Sequence, residues 1–261
     1  MSNRDKILRY YRGTEGEEVA VRLIEAAEQT SQSGKFRRTE FLDPYGQEIA
    51  EVIAANYSEL TVSFEGGYPG AERQRAIFRD RTFEVEPPWE INVVKASWGG
   101  GFYHLTHRDI LGALMGLGID RAVLGDFSIR EGEVKIICDE KVSEFLLREV
   151  ICIGSVKVTC TTDTLDSIPP KEERVKEIKA TVASLRVDSI AAVGFGMSRS
   201  RAASDIEADK LKLNWQSVKS NSQTVKVGDV LSMRGRGRLE VAAITGMTKK
   251  GRTGVCLKRY M

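Results

Sequence analysis

Between residues 84 and 165, apolar runs with the two-residue period of strands alternate with runs of helical period. The predicted elements are a strand over Ile91 to Ala96, a helix over Thr106 to Gly116, a strand over Ala122 to Arg130, a hairpin turn at Glu131-Gly132, a strand over Glu133 to Cys138, a helix over Glu140 to Ile151 and a strand over Ser155 to Thr161. The order βαββαβ is typical of the ferredoxin-like fold, a four-stranded antiparallel sheet backed by two helices. RNA-recognition motifs share this order, but the stretch lacks their aromatic-rich signature.

The residues before this stretch predict a first domain, residues 1–83, that is helical or mixed. Its predicted elements are a helix over Glu15 to Ser31 that ends near Ser33-Gly34, a helix opened by Asp43-Pro44, a strand over Leu60 to Glu65, a tight turn over Gly66 to Gly70, and a third helix that starts in Ala71 to Arg75. Pro87-Pro88 marks a boundary. Arg73 and Arg75 flank the glycine turn and are candidate RNA contacts.

A polar stretch from Thr162 to Pro170 predicts a linker after the middle domain. Lys171 to Ala180 then predicts a short charged helix, because Glu173 and Glu177 are spaced to pair with neighbouring cations. The chain is therefore expected to be an α+β protein with domains over 1–83, 84–165 and 182–261, the last two joined by a linker and short helix over 166–181.

Charge separates the last domain from the rest. From Arg186 to the C-terminus there are 15 lysines and arginines against 6 aspartates and glutamates, a net charge of +9, whereas residues 1–185 carry a net charge of −7. Clustered cations repel one another unless a partner neutralises them, so a polyanion is the expected partner of this region. Its glycine turns and regularly spaced apolar positions indicate a folded domain rather than a disordered tail.

Within this domain the sequence predicts two short helices that lead into a small sheet. The predicted elements are a helix over Val187 to Val193 closed by Gly194 and Gly196, a helix over Arg199 to Asp209 capped by Ser198, a strand in which Leu211, Leu213 and Trp215 alternate with polar residues, and strand residues around a turn in Val225 to Met233. Arg234-Gly235-Arg236-Gly237-Arg238 would project three cations from one face if it formed a strand.

These motifs resemble the small RNA-binding domain named after the fourth protein of the small ribosomal subunit, the S-four domain. The resemblance rests on Arg186-Val187-Asp188, the turn at Gly194, Ser198-Arg199-Ser200-Arg201-Ala202, Leu211-Lys212-Leu213-Asn214 and Val227-Gly228-Asp229-Val230-Leu231. Asp209 and Trp215 depart from the pattern, since glycines are common at both positions. Trp215 either packs in the core or offers a stacking face to a base.

Motifs elsewhere extend the resemblance to YlmH-type proteins over nearly the full length. They are Gly66-Gly67-Tyr68-Pro69-Gly70-Ala71-Glu72-Arg73, His107-Arg108-Asp109-Ile110-Leu111-Gly112-Ala113-Leu114, Gly118-Ile119-Asp120-Arg121, Gly125-Asp126 and Lys249-Lys250-Gly251-Arg252. The resemblance implies a non-enzymatic RNA-binding protein that acts on the large ribosomal subunit, in ribosome-associated quality control or translation, with ribosomal or transfer RNA as partner. A cyanobacterial and plastid branch of the family carries the label photosystem II S-four domain protein, so an RNA-binding assembly or regulatory role there is an alternative.

The candidate RNA contacts are the cations and polar residues of these C-terminal motifs. They are Arg186, Ser198, Arg199, Arg201, Lys210, Lys212, Asn214, Arg234, Arg236, Arg238, Lys249, Lys250 and Arg252. Arg199 and Arg201 fall in the first turn of a helix, where free backbone N–H groups and the helix dipole favour phosphate. Arginine adds bidentate contacts to phosphate and stacks on exposed bases.

Other features argue against catalysis, metal chemistry and a membrane segment. His107-Arg108-Asp109 mimics a kinase triplet without the other kinase motifs, and a helix cap is the simpler interpretation. An RNA-modifying active site around Tyr103 to Asp109 stays an alternative. Four cysteines without CxxC spacing and two histidines predict reduced, buried thiols, no metal and no cofactor. We expect a cytoplasmic monomer, since no membrane-length apolar run, secretion signal or apolar heptad is present.

Overall fold

The computed structural model describes residues 3–99, 103–169, 175–249 and 251–260. Its contacts divide the chain into two units, Met1–Lys171 and Glu172–Met261. Each unit combines helices with antiparallel sheet, which confirms the predicted α+β class. Among the described residues, no helix is long and apolar enough to cross a membrane. The domain boundaries near residues 83, 165 and 181 stay predictions.

The first half of the first unit packs three helices on a three-stranded sheet. Its elements are α1 (Asn3–Tyr11), α2 (Glu17–Ser33), β1 (Phe36–Leu42), α3 (Pro44–Ala54), β2 (Leu60–Glu65) and β3 (Gln74–Asp80). The strands are antiparallel in the order β1-β3-β2. The helix and strand predictions for α2, α3 and β2 are confirmed, with Gly34 in the left-handed conformation behind α2 and the Asp43 carboxylate accepting from Gly46 N–H.

The third helix predicted from Ala71 to Arg75 is wrong. This segment leads into β3, the central strand of the sheet, in which Arg75, Ala76, Ile77 and Phe78 are all buried. The local residues favour a helix, but two neighbouring strands supply hydrogen bonds along both edges, and tertiary pairing overrides that weak preference. The prediction also lacked α1 and β1, so the region is more mixed than helical.

The second half of the first unit has the predicted βαββαβ order. Its elements are β4 (Ile91–Ser97), α4 (His107–Gly116), a 3₁₀ turn (Arg121–Val123), β5 (Leu124–Arg130), β6 (Glu133–Asp139), α5 (Glu140–Glu149), the hairpin β7 (Cys152–Ile153) and β8 (Val156–Lys157), β9 (Thr159–Asp163) and a 3₁₀ turn (Leu165–Ser167). The antiparallel sheet has the order β5-β6-β4-β9, the ferredoxin-like arrangement. Ile110 and Leu114 of α4 and Leu146 of α5 pack on one face of it.

The opposite face of this sheet is partly covered by apolar side chains. Ile91, Val93 and Ile137 form a cluster with Phe41 of β1 and with Ile168, which follows the last 3₁₀ turn. Ile168 is 6% exposed, so the part of the predicted linker near this residue packs on the sheet instead. Residues 170–174, where that linker ends and the charged helix was predicted to begin, lie outside the described residues.

The second unit is one six-stranded antiparallel sheet with two helices on one face. Its elements are β10 (Val175–Val182), α6 (Val187–Phe195), α7 (Arg199–Glu207), β11 (Leu211–Leu213), β12 (Gln216–Ser217), β13 (Val230–Met233), β14 (Gly237–Met247) and β15 (Thr253–Tyr260). The strand order is β10-β15-β14-β13-β11-β12. Gly194 allows close packing of α6, since a Cβ built there would lie 2.1 Å from Leu239 Cδ2.

Three predictions for this unit need correction. The charged helix to Ala180 is instead β10, which pairs with β15 over its whole length and turns Ile178 toward the core. The strand predicted through Trp215 ends at Leu213, because Asn214 and Trp215 form a turn. Arg234 to Arg236 form the turn between β13 and β14, so the Arg-Gly-Arg-Gly-Arg run is no strand with three cations on one face.

Candidate RNA-binding surface

A buried carboxylate at the start of α6 holds two of the predicted RNA contacts. Asp188 is 3% exposed. It accepts from Arg186 through Nε at 3.2 Å and Nη2 at 3.0 Å, and from Arg199 through Nε at 3.0 Å and Nη2 at 3.3 Å. The Ser189 hydroxyl donates to the same carboxylate at 3.2 Å. The aspartate thereby fixes two arginines from different elements side by side.

A second buried carboxylate repeats this arrangement in α7. Asp205, 4% exposed, accepts from Arg201 Nε at 3.1 Å, one helical turn earlier. Its other oxygen accepts from Lys210 Nζ at 3.1 Å, at the entry to β11. Two aspartates thus hold four cations, and we call this set the aspartate-held cluster: Arg186, Arg199, Arg201 and Lys210.

The cluster keeps a net positive charge and an exposed cationic surface. The side chains of its four cations are 37 to 60% exposed, whereas those of the two aspartates are 4 and 6% exposed. Burial alone raises the pKa of Asp188, but the hydrogen bonds from Arg186 and Arg199 outweigh it and hold this pKa below its usual value. Hydrogen bonding from Lys210 and Arg201 likewise lowers the pKa of Asp205. Both aspartates are therefore ionised near neutral pH and orient their cations.

Sequence reasoning selected the four cations but missed the two aspartates. Asp205 stands four residues after Arg201, a spacing typical of helical ion pairs, so this pair had a signal. Asp188 and Arg199 lie eleven residues apart on different helices, and only the packing of α6 against α7 brings them together. A guanidinium has five N–H donors, and Asp188 takes two from each arginine, so donors are left to point at a ligand.

Two other candidate contacts use their polar groups inside the protein. The Ser198 hydroxyl accepts from Arg201 N–H at 3.2 Å, which confirms the predicted N-cap of α7. The Asn214 amide donates to Asp229 Oδ1 at 3.0 Å and accepts from Val230 N–H at 2.8 Å. We therefore assign Asn214 a structural role. Ser198 supports the helix end at which Arg199 and Arg201 lie.

The glycine-arginine turn lies beside the aspartate-held cluster. Arg234 N–H donates to the Lys210 carbonyl at 2.9 Å, and both Arg234 and Arg236 are exposed. Lys212 and Arg238 lie on the sheet face opposite the helices, because both are in register with Ser232 of β13, between the inward-facing Leu231 and Met233. The predicted contacts therefore continue from the helix side around the β13–β14 turn to the outer sheet face.

The last basic group is far from that surface. Lys249 and Arg252 lie at the turn between β14 and β15, while Arg238 lies at the other end of the eleven-residue strand β14. At about 3.3 Å per residue the two ends are roughly 30 Å apart. The Arg252 guanidinium donates to Thr181 O at 2.6 Å and to Thr181 Oγ1 at 3.1 Å, which ties it to β10. Lys250 lies outside the described residues.

Arg73 and Arg75, the candidates beside the glycine turn, are structural. Arg73 donates to Leu124 O at 2.9 Å and to Phe41 O at 2.7 Å, and Asp126 accepts from Arg73 N–H at 3.2 Å. Arg75, 5% exposed, pairs with Asp139 at 3.0 Å. Burial lowers the pKa of both arginines. These contacts join the three-stranded sheet to the four-stranded sheet, so neither side chain is a candidate for RNA binding.

The glycine-turn and Gly125-Asp126 motifs meet at the same junction. Asp126 accepts from Tyr68 Oη at 2.8 Å and from Glu72 N–H at 2.7 Å. A Cβ at Gly125 would lie 2.9 Å from Ile137 Cγ2, so the strand needs glycine for this close approach. Burial and the nearby Arg73 lower the pKa of Arg121 to about 10. The two motifs thus form a hydrogen-bonded junction within the first unit.

The kinase-like triplet has the predicted capping geometry. Asp109 N–H donates to Thr106 Oγ1 at 3.3 Å, and the Asp109 carboxylate accepts from Thr106 N–H at 2.9 Å. These bonds from Thr106 lower the pKa of Asp109. Desolvation and Arg121 lower the pKa of His107, whose ring centroid lies 4.9 Å from that of Phe127. Within the described ranges, no group of three His, Cys, Asp or Glu side chains is placed to hold a metal ion.

The prediction of reduced, buried cysteines is right about the free thiols and right about burial only for Cys138. Cys138, Cys152, Cys160 and Cys256 are all free thiols. Cys138 is buried, and its burial raises the pKa of the thiol to about 12. Cys152 is exposed, and the other two are half-buried.

This chain is similar to known proteins over most of its length. Family models described as "YlmH, N-terminal" and "Putative RNA-binding domain in YlmH" match residues 15–81 and 86–167. The "Ribosome-associated protein quality control protein P2" of Bacillus subtilis is 32% identical over 228 residues, which cover 86% of this chain and 88% of the relative. The chain belongs to the YlmH family.

Two further similarities concern single regions of this YlmH-family chain. The model of the C-terminal domain of mitochondrial transcription rescue factor 1 matches residues 176–245, where the aspartate-held cluster lies. The solved structure of the cell division protein ylmH from Streptococcus pneumoniae shares the fold with a TM-score of 0.51 and 22% identity, over 59% of this chain and 95% of that one. The resemblance to YlmH-type proteins drawn from the sequence motifs is confirmed by the two YlmH family models and the Bacillus subtilis relative.

Proposed function

We propose that this protein is a ribosome-associated RNA-binding factor whose C-terminal unit binds ribosomal or transfer RNA on the large subunit. The observation that carries the proposal is the aspartate-held cluster, four partly exposed cations fixed by two buried carboxylates. The Bacillus subtilis relative is named for ribosome-associated quality control, which supports a role in the same process.

The geometry of the cluster suits the RNA backbone. Arginines bind phosphate in a bidentate manner, and a pair already held side by side loses less side-chain entropy on binding. The N-terminus of α7 adds N–H groups and a positive dipole end next to Arg199 and Arg201. The exposed Arg234 and Arg236 extend the positive surface beyond Lys210. Together these groups favour contacts with the phosphate backbone of folded RNA.

We propose further that the protein acts by binding rather than by catalysis. In the region of the alternative enzyme site, the Asp109 carboxylate is a helix cap with a lowered pKa, which makes it a poor general base. Incubation of the full chain with ribosomal RNA, followed by mass spectrometry of its nucleosides, tests this directly. We expect no new nucleoside, and a modified one would contradict the proposal.

No described contact favours the photosystem alternative. Gradient fractionation distinguishes the two roles, because it separates ribosomes from membrane-complex intermediates.

The binding test compares the full chain with Arg199→Ala/Arg201→Ala in co-sedimentation with large ribosomal subunits at moderate salt. We expect the wild type to pellet with subunits and the variant to stay in the supernatant. Lys176→Ala/Lys226→Ala is the matched control, because it removes two exposed cations of the same unit outside the cluster. Equal pelleting of the arginine variant and the wild type would contradict the proposal.

A further inference from the structure

The hairpin between β11 and β12 carries an aromatic residue in an unusual conformation. Leu213 pairs with Gln216, so Asn214 and Trp215 are the two turn residues. Their φ angles are +48° and +64°, as in turns that favour Asn-Gly. Asparagine suits the first position, but a bulky side chain at positive φ is a rare outlier. Glycine is the residue that fits the second position without strain.

The surrounding contacts hold this turn firmly in place. Asn214 N–H donates to Val230 O at 2.8 Å, and the Asn214 side chain bonds both Asp229 and Val230 N–H. Asp229 is 4% exposed and also accepts from Lys226 N–H at 2.9 Å. Strained positions that persist because their surroundings fix them concentrate at functional sites. The turn backbone that carries the indole is therefore fixed by groups other than the indole.

Trp215 is not one of the side chains that form the core of this unit. It is half-buried, and the Arg238 guanidinium lies over its ring, 5.3 Å from the centroid. Lys212 donates from Nζ to the Trp215 carbonyl at 3.4 Å. A tryptophan with one cation over its ring and a second at its backbone carbonyl, beside the sheet face opposite the helices, has the composition of single-strand nucleic-acid sites. In those sites aromatic rings stack on bases and cations follow the backbone.

We propose that Trp215 is a stacking site for an unpaired RNA base, with Lys212 and Arg238 contacting the flanking phosphates. The inference rests on the proposed RNA-binding function and adds the class of ligand, an unpaired nucleotide next to the segment gripped by the aspartate-held cluster. The cluster supplies charge-dependent affinity for any RNA. Trp215 supplies a preference for RNA with unpaired bases.

The test measures binding of the full-length protein to two RNA probes, a 12-nucleotide oligoadenylate and a 12-base-pair RNA duplex. Trp215→Leu and Trp215→Gly should weaken oligoadenylate binding by about 5- to 150-fold, the effect of removing one stacked base. Trp215→Phe keeps a ring and should stay within about threefold of wild type. Duplex affinity should be unchanged in all three variants, and so should the dependence of oligoadenylate binding on salt.

Trp215→Gly guards against misfolding, because glycine adopts the turn conformation without strain. Wild-type affinity of Trp215→Gly for oligoadenylate would overturn the inference, and so would an equal loss for both probes. Failure of the proposed function looks different. In that case Arg199→Ala/Arg201→Ala binds both probes like the wild type, whatever Trp215 does. A wild-type chain that binds neither probe contradicts both proposals.

Discussion

The four-stranded sheet of the first unit and the six-stranded sheet of the second have the same design, with two helices on one face, and differ in what lies on the other. In the first, Phe41 and Ile168 cover the end of the face near Ile137. Beyond that end, Lys95, Lys135 and Thr161 lie in one row across neighbouring strands, and Lys135 is tied to Asp163 at 3.0 Å.

The six-stranded sheet of the second unit instead has Lys212, Arg238 and Trp215 on the corresponding face. The outward positions of β4 and β6, where RNA-recognition motifs have their stacking aromatics, hold no aromatic residue. The comparison shows that strand order alone assigns no RNA-binding role. The side chains on the face away from the helices support our proposal that the six-stranded sheet binds RNA. Those of the four-stranded sheet contact the other half of their own unit.

The largest effect is expected from removing the buried ion pair between Arg75 and Asp139, which joins the three-stranded sheet to the four-stranded sheet. Arg75→Ala leaves Asp139 buried without its arginine, and such a loss costs about 3 to 5 kcal/mol of unfolding free energy. Arg79→Ala, on the same strand, removes a cation whose exposed partner is Glu86 and should cost less than about 1 kcal/mol. Urea unfolding of the full chain measures both. Equal effects would contradict the structural role of Arg75.

A second prediction compares glycines in one helix from each unit. Gly194→Ala would place a methyl group against Leu239, and such overpacking costs about 1 to 3 kcal/mol. At Gly112 of α4 nothing lies within 4 Å of a Cβ, so Gly112→Ala should stabilise by about 0.5 to 1 kcal/mol. The melting temperature should therefore fall for Gly194→Ala and rise for Gly112→Ala. A higher melting temperature for Gly194→Ala would show that α6 does not pack closely on β14.

A third prediction separates the positioning of cations from net charge on the proposed RNA-binding surface. Asp188→Asn removes a negative charge, which by charge alone strengthens RNA binding. We expect about tenfold weaker binding instead, because Arg186 and Arg199 lose the charged group that holds them. Asp209→Asn is the matched control: it removes an exposed acid at φ +51°, a conformation that asparagine tolerates. Tighter binding by Asp188→Asn in filter binding would refute the positioning role.

A smaller effect is expected from pH. Since the pKa of Asp188 is lower in the folded chain than its usual value, the unfolded chain binds more protons between those two pH values. Stability from this group is therefore complete above about pH 4 and is lost as pH falls through the lowered pKa. Urea unfolding from pH 2.5 to 6 should show a shallower acid loss for Asp188→Asn than for the wild type. Parallel curves would mean that the carboxylate is not held by the arginines.

The sequence predicted the elements with clear periodicity well. The βαββαβ stretch is confirmed in order, and most of its strands and helices begin and end within about two residues of the prediction, because two-residue and helical periods are local properties. Ala71 to Arg75 and Lys171 to Ala180 failed for the opposite reason. Their helical composition is local, whereas β3 and β10 form through pairing with strands distant in the sequence.

The candidate site was predicted in part for the same physical reason. Motifs located the cations, and Ser198 located the end of α7. Whether a paired cation stays exposed to a ligand or is buried depends on its tertiary contacts. Arg199 pairs with Asp188 and stays exposed, whereas Arg75 pairs with Asp139 and is buried. The burial of Asp188 and the turn conformation of Trp215 likewise follow from packing that a single sequence does not display.

The most direct test of the central claim, that the aspartate-held cluster binds RNA phosphates, is the salt dependence of affinity for large-subunit ribosomal RNA. For the full chain, the logarithm of the binding constant should fall linearly with the logarithm of salt concentration. Arg199→Ala/Arg201→Ala should make that slope shallower by about 1.4 to 1.8, or 0.7 to 0.9 for each phosphate that the variant leaves unneutralised. An unchanged slope in this variant would contradict the account.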